Sequence, residues 1–394
     1  MGSDAAADER DRPDGGSLEG LRVVEVATML AAPFTGMLLA DHGADVVKVE
    51  MPEVGDGMRQ WGHRKGDVPL YWKVLGRNKR AVTLDLHEQS DRDRLKRLLA
   101  DADVLIENFR PGTLERWGLG PDDLWAGNPR LVVLRVSGWG QDGPYAPRPG
   151  FGTLVEAFSG FAHINGWPDR PPTLPPFGLA DSMAGMIGAF GVLCALRARE
   201  RTGRGQVVDL ALYEPMLTAL GSLVIDYDQA GVSQERSGNR TPFSAPRNAY
   251  QGSDGGWFAI SASNQNTAAR LFATIGRPEL LQDPRFATNP ARTAHQDELD
   301  ELISAWAASR TRDQAIADLE AGGVPVAPVN SVADIVGDEH VLARNSLIRV
   351  ADDELGEALV QAPVPRLRDT PGRVRFLGRP LGADDDQWTD GLWK

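Results

Sequence analysis

Residues 21–50 read LRVVEVATMLAAPFTGMLLADHGADVVKVE, and this stretch decides the fold class. The β-branched runs at its two ends, residues 21–27 and 45–50, are typical of buried strands. The apolar segment between them ends at Gly43, a residue type that commonly closes a helix. A strand, a helix and a second strand in this order predict a right-handed βαβ crossover between two parallel strands.

The same alternation continues toward the C-terminus. Further strands are predicted in RAVTLDL (80–86), DVLIENF (103–109), RLVVLRVSG (130–138) and QVVDLALYE (206–214). Strands that alternate with helices form a mainly parallel sheet covered on both faces. Ligands of such sheets bind beyond the carboxyl ends of the strands. The segments that follow predicted strands are residues 28–33, 50–57, 108–112 and 137–144.

The pattern changes after about Gly231. The segment SGNRTPFSAPRNAY (237–250) is rich in turn formers, and AYQGSDGGWFAISAS (249–263) predicts a β-hairpin followed by three helical segments. The predicted organisation is a disordered tail (1–17), a large α/β domain (18–229), a small α+β domain (230–330) and a C-terminal segment that returns to the large domain (331–394).

Composition excludes several classes of protein. The formal net charge of −13 over 394 residues disfavours a nucleic-acid partner, because the phosphate backbone selects for excess positive charge. No apolar stretch in residues 1–20 resembles a signal sequence, and we predict no transmembrane helix, no membrane association and a cytoplasmic location. Cys194, the single cysteine, stands in an apolar run and is expected to be buried. One cysteine and six scattered histidines predict no metal site.

Three common enzyme classes on this architecture lack their motifs here. No G-x-G-x-x-G follows the first strand, which disfavours a dinucleotide cofactor. No G-x-x-x-x-G-K-[ST] is present for a nucleoside triphosphate. Ser137 stands in RVSGW, which is not the nucleophile elbow of an α/β-hydrolase.

Asp181 follows PPFGLA at the start of a long helical segment rich in small residues. Aspartate at a helix start most often caps the helix. The same position also suits a carboxylate nucleophile, because the amide N–H groups and the positive end of the helix favour the ionised form. Composition and spacing alone leave both interpretations open.

Two further segments carry charge near predicted strands. ENFRPGTLERWGLG (107–120) offers the amide of Asn108, the ring of Phe109 and the cations Arg110 and Arg116 at a strand's carboxyl end. Each of these could equally be ordinary surface. The segment GRNKRAVTLDL carries three cations suited to phosphate or to solvent, namely Arg77, Lys79 and Arg80.

Taken together, these segments resemble the class III CoA-transferases, the CaiB/BaiF family. The resemblance runs from about Leu18 to about Asn345 and rests on motifs in the family order, chiefly LEGLRVVEVA, NKRAVTLDL, ENFRPGTLERWGLG, PPFGLADSMAG and APRNAYQGSDGGWFAI. It implies a Rossmann-like large domain with a mostly parallel sheet, a smaller α+β domain and an interlocked homodimer. The branch that it most resembles transfers CoA from succinyl-CoA to dicarboxylic or hydroxy acids.

The resemblance also implies roles for single residues. Asp181 would be the nucleophile, forming an aspartyl anhydride and then an aspartyl–CoA thioester, with CoA as substrate and no permanently bound cofactor. The CoA contacts implied by position in the motifs are Leu30, Ala31, Leu84, Asn108, Phe109, Arg116 and Leu212. The family often has a basic residue where Met51 stands, so the 3′-phosphate contact is expected from Arg77, Lys79 or Arg80 instead.

Alternatives stay open within the resemblance. The related α-methylacyl-CoA racemases pair this aspartate with a histidine, and Phe151 stands where that histidine would be, so transfer is favoured over racemisation. A catalytically silent CoA-binding protein is the non-enzyme alternative. An acceptor with a second carboxylate would need a cation, for which His163, Arg240 and Arg247 are candidates.

Overall fold

The computed structural model describes residues 15–389 and residue 393. The chain divides into two units. The first comprises Met1–Phe161, Leu174–Ile225 and Ala343–Lys394, and the second comprises Ala162–Thr173 and Asp226–Leu342. The tail predicted over residues 1–17 falls mostly outside the described residues. The domain boundaries expected from the sequence stay predictions.

In chain order, the strands of the described residues are β1 (Arg22–Glu25), β2 (Asp45–Glu50), β3 (Arg64–Lys65), β4 (Val68–Pro69), β5 (Lys79–Thr83), β6 (Val104–Glu107), β7 (Val132–Ser137), β8 (Val207–Ala211), β9 (Arg247–Gln251), β10 (Trp257–Ser261), β11 (Val326–Pro328), β12 (Leu347–Asp352) and β13 (Gly356–Gln361). The α-helices are α1 (Ala31–Asp41), α2 (Leu70–Leu75), α3 (Gln89–Ala100), α4 (Thr113–Arg116), α5 (Pro121–Trp125), α6 (Gly152–Phe158), α7 (Phe161–Ile164), α8 (Leu179–Thr202), α9 (Tyr213–Ala219), α10 (Leu223–Ala230), α11 (Gln265–Thr274), α12 (Asn289–Ala294), α13 (Gln296–Ala307), α14 (Arg312–Ala321), α15 (Val332–Gly337) and α16 (Glu339–Ala343).

A six-stranded parallel sheet organises the first unit, as the alternation of strands and helices predicts. Its order is β5-β2-β1-β6-β7-β8, and every neighbouring pair is parallel. After β1, the strands β2 and β5 are added on one side of it. The chain then crosses to the other side of β1, where β6, β7 and β8 follow. The direction of winding therefore reverses between β1 and β6, and in such sheets this switch point opens a crevice beyond the strand ends.

Helix α8 covers one face of this sheet over 24 residues. Its inner side is made of small residues, and a Cβ atom at Gly185 would lie 2.9 Å from the carbonyl oxygen of Ala31 in α1. This close approach between α1 and α8 needs glycine at that position. In the described part of the chain, α8 alone is long and apolar enough to meet the criterion for a membrane span, which core helices also meet.

The outer side of α8 is apolar and uncovered. Met186, Ile187, Phe190 and Leu193 are between 42% and 63% exposed. Cys194 is exposed beside them, so the expectation that it is buried is wrong. The run of apolar residues in the sequence covers both faces of the helix, and the buried face consists of small residues together with Val192.

The second unit has its own core. An antiparallel sheet of order β11-β10-β9 contains the predicted hairpin, with β9 and β10 paired from Arg247 to Ser261. Helices α11, α13 and α14 correspond to the three helical segments expected from the sequence. Their buried faces join the sheet around Phe258, Phe272 and Phe286.

Candidate active site

A cavity of about 230 Å³ opens at the switch point of the large sheet. Its walls come from segments that follow β1, β6 and β7, where the sequence predicts a ligand site, together with the start of α8. The lining residues are Thr28, Met29, Leu30, Ala31, Asn108, Phe109, Arg110, Pro111, Val136, Ser137, Gly138, Ala146, Arg148, Pro149, Gly150, Phe151, Asp181 and Leu212. Asp181 is the one acidic side chain among these described residues.

Asp181 occupies the third position of α8, and the helix is capped by Gly178, which has no side chain to bond an amide. The carboxylate accepts a hydrogen bond from its own backbone N–H and otherwise borders the cavity. A carboxylate that lines a cavity is available for chemistry, which an N-cap side chain turned onto the helix backbone is not. Asp181 thus borders the cavity and makes no N-cap bond, while its role as a nucleophile stays a prediction.

The electrostatic surroundings of Asp181 differ from the expectation. Burial, and then the negative charge of Glu156, raise the pKa of Asp181 from 3.8 to about 6. The hydrogen bond from the N–H of Asp181 lowers the pKa by less than these two effects raise it, and the two preceding amides have other acceptors. Leu179 donates to the Phe177 carbonyl, and Ala180 donates to Oε1 of Glu156 over 3.1 Å. The expectation that the helix start favours the ionised form is therefore corrected, because the pKa of Asp181 is raised above its ordinary value.

Glu156 lies on α6 and is 2% exposed. Its bond to the Ala180 amide ties α6 to the first turn of α8, directly beside the nucleophile candidate. Sequence reasoning missed this residue. A glutamate in the segment FGTLVEAF resembles an ordinary helix surface position, and its burial follows only from the packing of α6 against α8.

Two glycines enclose the carboxylate of Asp181. A Cβ atom at Gly152 would lie 2.2 Å from Oδ2 of Asp181, and one at Gly178 would lie 3.1 Å from the same oxygen. Two backbone segments of the cavity wall also lie close together, since a Cβ at Gly138 would lie 2.5 Å from the Cα of Gly150. Glycine at these positions lets two loops and a helix approach the carboxylate without a side chain between them.

The structure brings five of the predicted CoA contacts to this cavity, namely Leu30, Ala31, Asn108, Phe109 and Leu212. The amide of Asn108 is engaged in the wall, because Oδ1 accepts from the Thr28 N–H at 2.9 Å and Nδ2 donates to the Thr28 carbonyl at 2.7 Å. Phe109 packs edge-on against Trp117 with ring centroids 5.2 Å apart. These residues form the wall, and their part in CoA binding stays a prediction.

Leu84 and Arg116 are not among the residues that line the cavity. Leu84 is 1% exposed and belongs to the core of the sheet. Arg116 donates from Nη2 to Oγ1 of Thr113 at 2.9 Å on the exposed side of α4. For Leu84 the expectation of a CoA contact is wrong, because burial in the core leaves no surface for a ligand.

The three cations expected at the 3′-phosphate each form an ion pair with a carboxylate of the chain. Arg77 is 3% exposed and pairs with Asp41, and Lys79 is 2% exposed and pairs with Glu25 at 2.8 Å. Arg80 binds Asp45 through Nε at 3.1 Å. A cation buried in an ion pair cannot leave it without exposing an unpaired charge. The assignments of Arg77 and Lys79 are therefore corrected, whereas that of Arg80, whose side chain is only partly buried, stays a prediction. Within the described residues, the cations that line the cavity are Arg110 and Arg148.

The candidates for a second acceptor carboxylate lie in the second unit. Arg240 binds Asp300 and Asp297, with Nη nitrogens 2.6 Å from each carboxylate, so its guanidinium is already neutralised. His163 lies 3.4 Å from Glu235. Arg247 donates to the carbonyl of Asn239 at 2.7 Å. The expectations for Arg240, His163 and Arg247 stay predictions, and the two ion pairs of Arg240 make it the weakest of the three candidates.

Comparison with known proteins gives one family. Residues 18–385 match the sequence profile of CoA-transferase family III. The chain is 47% identical over 95% of its length to succinyl-CoA–D-citramalate CoA-transferase of Chloroflexus aurantiacus, covering 94% of that protein. It is 44% identical over 94% of its length to the β subunit of succinyl-CoA–L-malate CoA-transferase of the same organism, covering 92% of that subunit.

Solved structures agree with this assignment. The crystal structure of a CaiB/BaiF family protein from Brucella suis superposes with a TM-score of 0.85 at 35% identity, covering 96% of this chain and all of that one. The profile spans nearly the whole chain, and the relatives match over nearly their full lengths. The chain belongs to CoA-transferase family III and is an enzyme of that family.

Proposed function

We propose that the enzyme moves CoA from succinyl-CoA to a small hydroxy-dicarboxylic acid of the malate or citramalate type, with Asp181 as the covalent nucleophile. One observation carries the proposal: among the described residues, Asp181 is the single carboxylate of the cavity at the sheet's switch point. The names of two relatives, which transfer CoA from succinyl-CoA to D-citramalate and L-malate, support the choice of donor and acceptor.

The first half of the reaction transfers CoA to the enzyme. A carboxylate oxygen of Asp181 bonds to the thioester carbon of succinyl-CoA, the C–S bond breaks, and CoA leaves as a thiolate. Asp181 is then joined to succinate as a mixed anhydride. The thiolate bonds to the Asp181 carbonyl carbon, the anhydride C–O bond breaks, and succinate leaves. Covalent catalysis of this kind divides one difficult exchange into easier steps.

The second half repeats these steps in reverse. The acceptor carboxylate attacks the aspartyl–CoA thioester, expels the thiolate and forms a new anhydride. The thiolate then attacks the acceptor's acyl carbon and releases Asp181 as a carboxylate. No proton is gained or lost over the cycle, and the free energy of the thioester is retained from donor to product.

The raised pKa of Asp181 suits this role. A carboxylate with a pKa of about 6 is roughly nine-tenths ionised at pH 7, and it is more basic than an ordinary aspartate. Greater basicity strengthens the nucleophile, while ionisation remains nearly complete at neutral pH. Phe151 lines the cavity and offers no second acid/base group, which disfavours the racemase alternative.

For the CoA phosphates we propose Arg110 and Arg148. Both are exposed side chains on the wall of the cavity, one after β6 and the other after β7. The guanidinium of Arg148 stacks over the ring of Tyr145 at 3.6 Å, which holds it in place without neutralising its charge. A positioned guanidinium binds phosphate with two parallel hydrogen bonds.

We also propose that the enzyme is a homodimer. The uncovered outer side of α8, with Met186, Ile187, Phe190 and Leu193, is the kind of apolar patch that mediates association. A second copy of the chain is the proposed occupant, and the family resemblance supports it. Sedimentation equilibrium tests this proposal. Twice the chain mass is expected, and charged substitutions at Phe190 and Met186 should yield monomers.

The experiment that tests the nucleophile is chemical trapping. The enzyme is incubated with succinyl-CoA and then with hydroxylamine, digested and analysed by mass spectrometry. A hydroxamate confined to the peptide containing GLADSMAG is expected, together with its absence in Asp181→Asn. An unmodified peptide under conditions of measured CoA transfer would reject Asp181 as the nucleophile. A modified residue elsewhere would assign the role to that residue.

A further inference from the structure

The cavity wall at residues 28–31 makes an uncommon turn. Met29 has a φ of 67°, a left-handed conformation that residues other than glycine rarely adopt. Leu30 follows this turn, and its Cδ2 lies 2.6 Å from the position that a Cβ at Gly178 would take. Oδ2 of Asp181 lies 3.1 Å from the same position. The backbone conformation of Met29 therefore determines where the side chain of Leu30 lies relative to the carboxylate of Asp181.

Asp56 holds this turn from the interior. Its Oδ1 accepts the N–H of Met29 at 2.9 Å, and its Oδ2 accepts from Nζ of Lys48 at 2.6 Å. Both side chains are shielded from solvent, since Asp56 is 1% exposed and Lys48 is fully buried. The Lys48 ammonium also donates to the carbonyl of Ala27, two residues before the turn. Asp56 thus links the turn to the strand from which it emerges.

The neighbouring residues leave this turn little freedom. Asn108 bonds both the N–H and the carbonyl of Thr28, which fixes the residue before Met29. On the other side, a Cβ at Gly57 would lie 2.6 Å from the sulfur of Met29. The Asn108 bonds act on the backbone of Thr28 and do not depend on its side chain, whereas the contact with Gly57 is made by the side chain of Met29.

We propose that Asp56 is a positioning residue of the active site, holding the left-handed turn at Met29 so that Leu30 and Ala31 lie correctly against the acyl-CoA beside Asp181. The inference rests on the proposed transfer of CoA through Asp181. Asp56 touches no substrate in this arrangement and acts through the Met29 amide. Glycine adopts the left-handed conformation readily, so the need for Asp56 should diminish when Met29 is glycine.

A double-mutant cycle tests this coupling. The values of kcat and KM for succinyl-CoA are measured in the full-length wild type, Asp56→Ala, Met29→Gly and the double variant, with thermal unfolding of each. Alanine removes the acceptor of the Met29 N–H, so we expect Asp56→Ala to lower kcat/KM about 100-fold in the Met29 background, as a misplacement of about 1 Å does. In the Met29→Gly background the same substitution should cost less than about tenfold, since the coupling between the two sites is lost. Equal losses in both backgrounds would overturn the proposal.

A matched control separates positioning from general stability. Asp41→Ala removes a comparably buried carboxylate from its pair with Arg77, away from residues 28–31. Its effect on kcat/KM should be the same in both Met29 backgrounds. If Asp56→Ala does not fold alone but folds together with Met29→Gly, the coupling is supported. If neither folds, Asp56 is required by the fold as a whole and the positioning role is rejected.

The test distinguishes this inference from the proposed function. Turnover by the wild type with succinyl-CoA bears on the function, and the cycle bears on Asp56. If the wild type shows no turnover, the function fails, and the cycle is measured instead as the Kd for CoA by calorimetry. Non-additive Kd values would then support the positioning role, and additive ones would reject it.

Discussion

Gly152 lies so close to Asp181 that a Cβ atom there would be 2.2 Å from Oδ2 of the carboxylate. The two residues are on different helices, α6 and α8, and their contact exists because neither a side chain nor a solvent layer separates them. Phe151, the residue before Gly152, lines the cavity. Asp181 can therefore occupy its position only because residue 152 is a glycine and has no side chain.

Gly152→Ala should displace the carboxylate of Asp181. We expect kcat/KM to fall on the order of 100-fold, because small misplacements of a reacting group have this effect. The control is Gly127→Ala, where the added Cβ would meet nothing closer than 3.7 Å. Steady-state kinetics on both variants provide the measurement. Wild-type activity in Gly152→Ala would mean that the carboxylate has room to move.

Glu156→Gln should shift the pH dependence of the reaction. The negative charge of Glu156 contributes to raising the pKa of Asp181 to about 6, so its removal lowers that pKa. The acidic limb of kcat/KM, which reports ionisation of Asp181, should therefore move to lower pH. Glutamine keeps an oxygen for the Ala180 N–H, so the helix contact is retained. A limb that stays near pH 6 would remove Glu156 from this role.

Asp181→Asn should abolish transfer and stabilise the fold. An acid whose pKa is raised from 3.8 to about 6 on folding destabilises the folded state increasingly as pH rises through this interval. At about 1.4 kcal/mol per pKa unit, removal of the charge should raise the free energy of unfolding by up to about 3 kcal/mol. The gain should be complete above pH 6 and absent near pH 4. Urea unfolding at both pH values tests it, and an equal gain at both would exclude this electrostatic origin.

Arg148→Gln should raise the KM for succinyl-CoA about tenfold with little change in the KM for the acceptor. The reason is the loss of one charge-assisted contact, worth roughly 1.5–3 kcal/mol, to a phosphate group. Arg130→Gln, at an exposed cation of the same unit outside the cavity, provides the comparison. Initial-rate kinetics with each substrate varied in turn distinguish the two KM values. A rise confined to the acceptor KM would place the phosphates elsewhere.

The sheet and its site could be read from the sequence because they depend on local patterns. β-Branched runs such as those around Val24 and Val47 predict strands, and the rule for parallel sheets then places Asn108 and the residues after Thr28 at one edge. The strand predictions need only the period of the apolar residues and the direction of the strands. Asp181 stands out by its place at the start of a small-residue helix, and its interpretation as the nucleophile depends on the family resemblance.

The sequence did not predict which charged side chains are buried and which partners they bind. Lys79 resembles a solvent-exposed cation at the start of a strand, yet it is buried against Glu25, which lies 54 residues earlier in the chain. Glu156 and Asp56 were missed for the same reason. Whether a charge is solvated or paired depends on which distant segment packs over it, and a single sequence does not contain that pairing.

The order of the large sheet has a consequence for how such enzymes can diverge. Each wall of the cavity follows a different strand, so each can accept insertions or substitutions while the strands keep their pairing. In the loop after β7, from Gly138 to Phe151, the close contact between Gly138 and Gly150 and the proposed phosphate contact of Arg148 constrain three positions. We expect the other positions of this loop to tolerate variation without disturbing the helix of Asp181 or the turn at Met29.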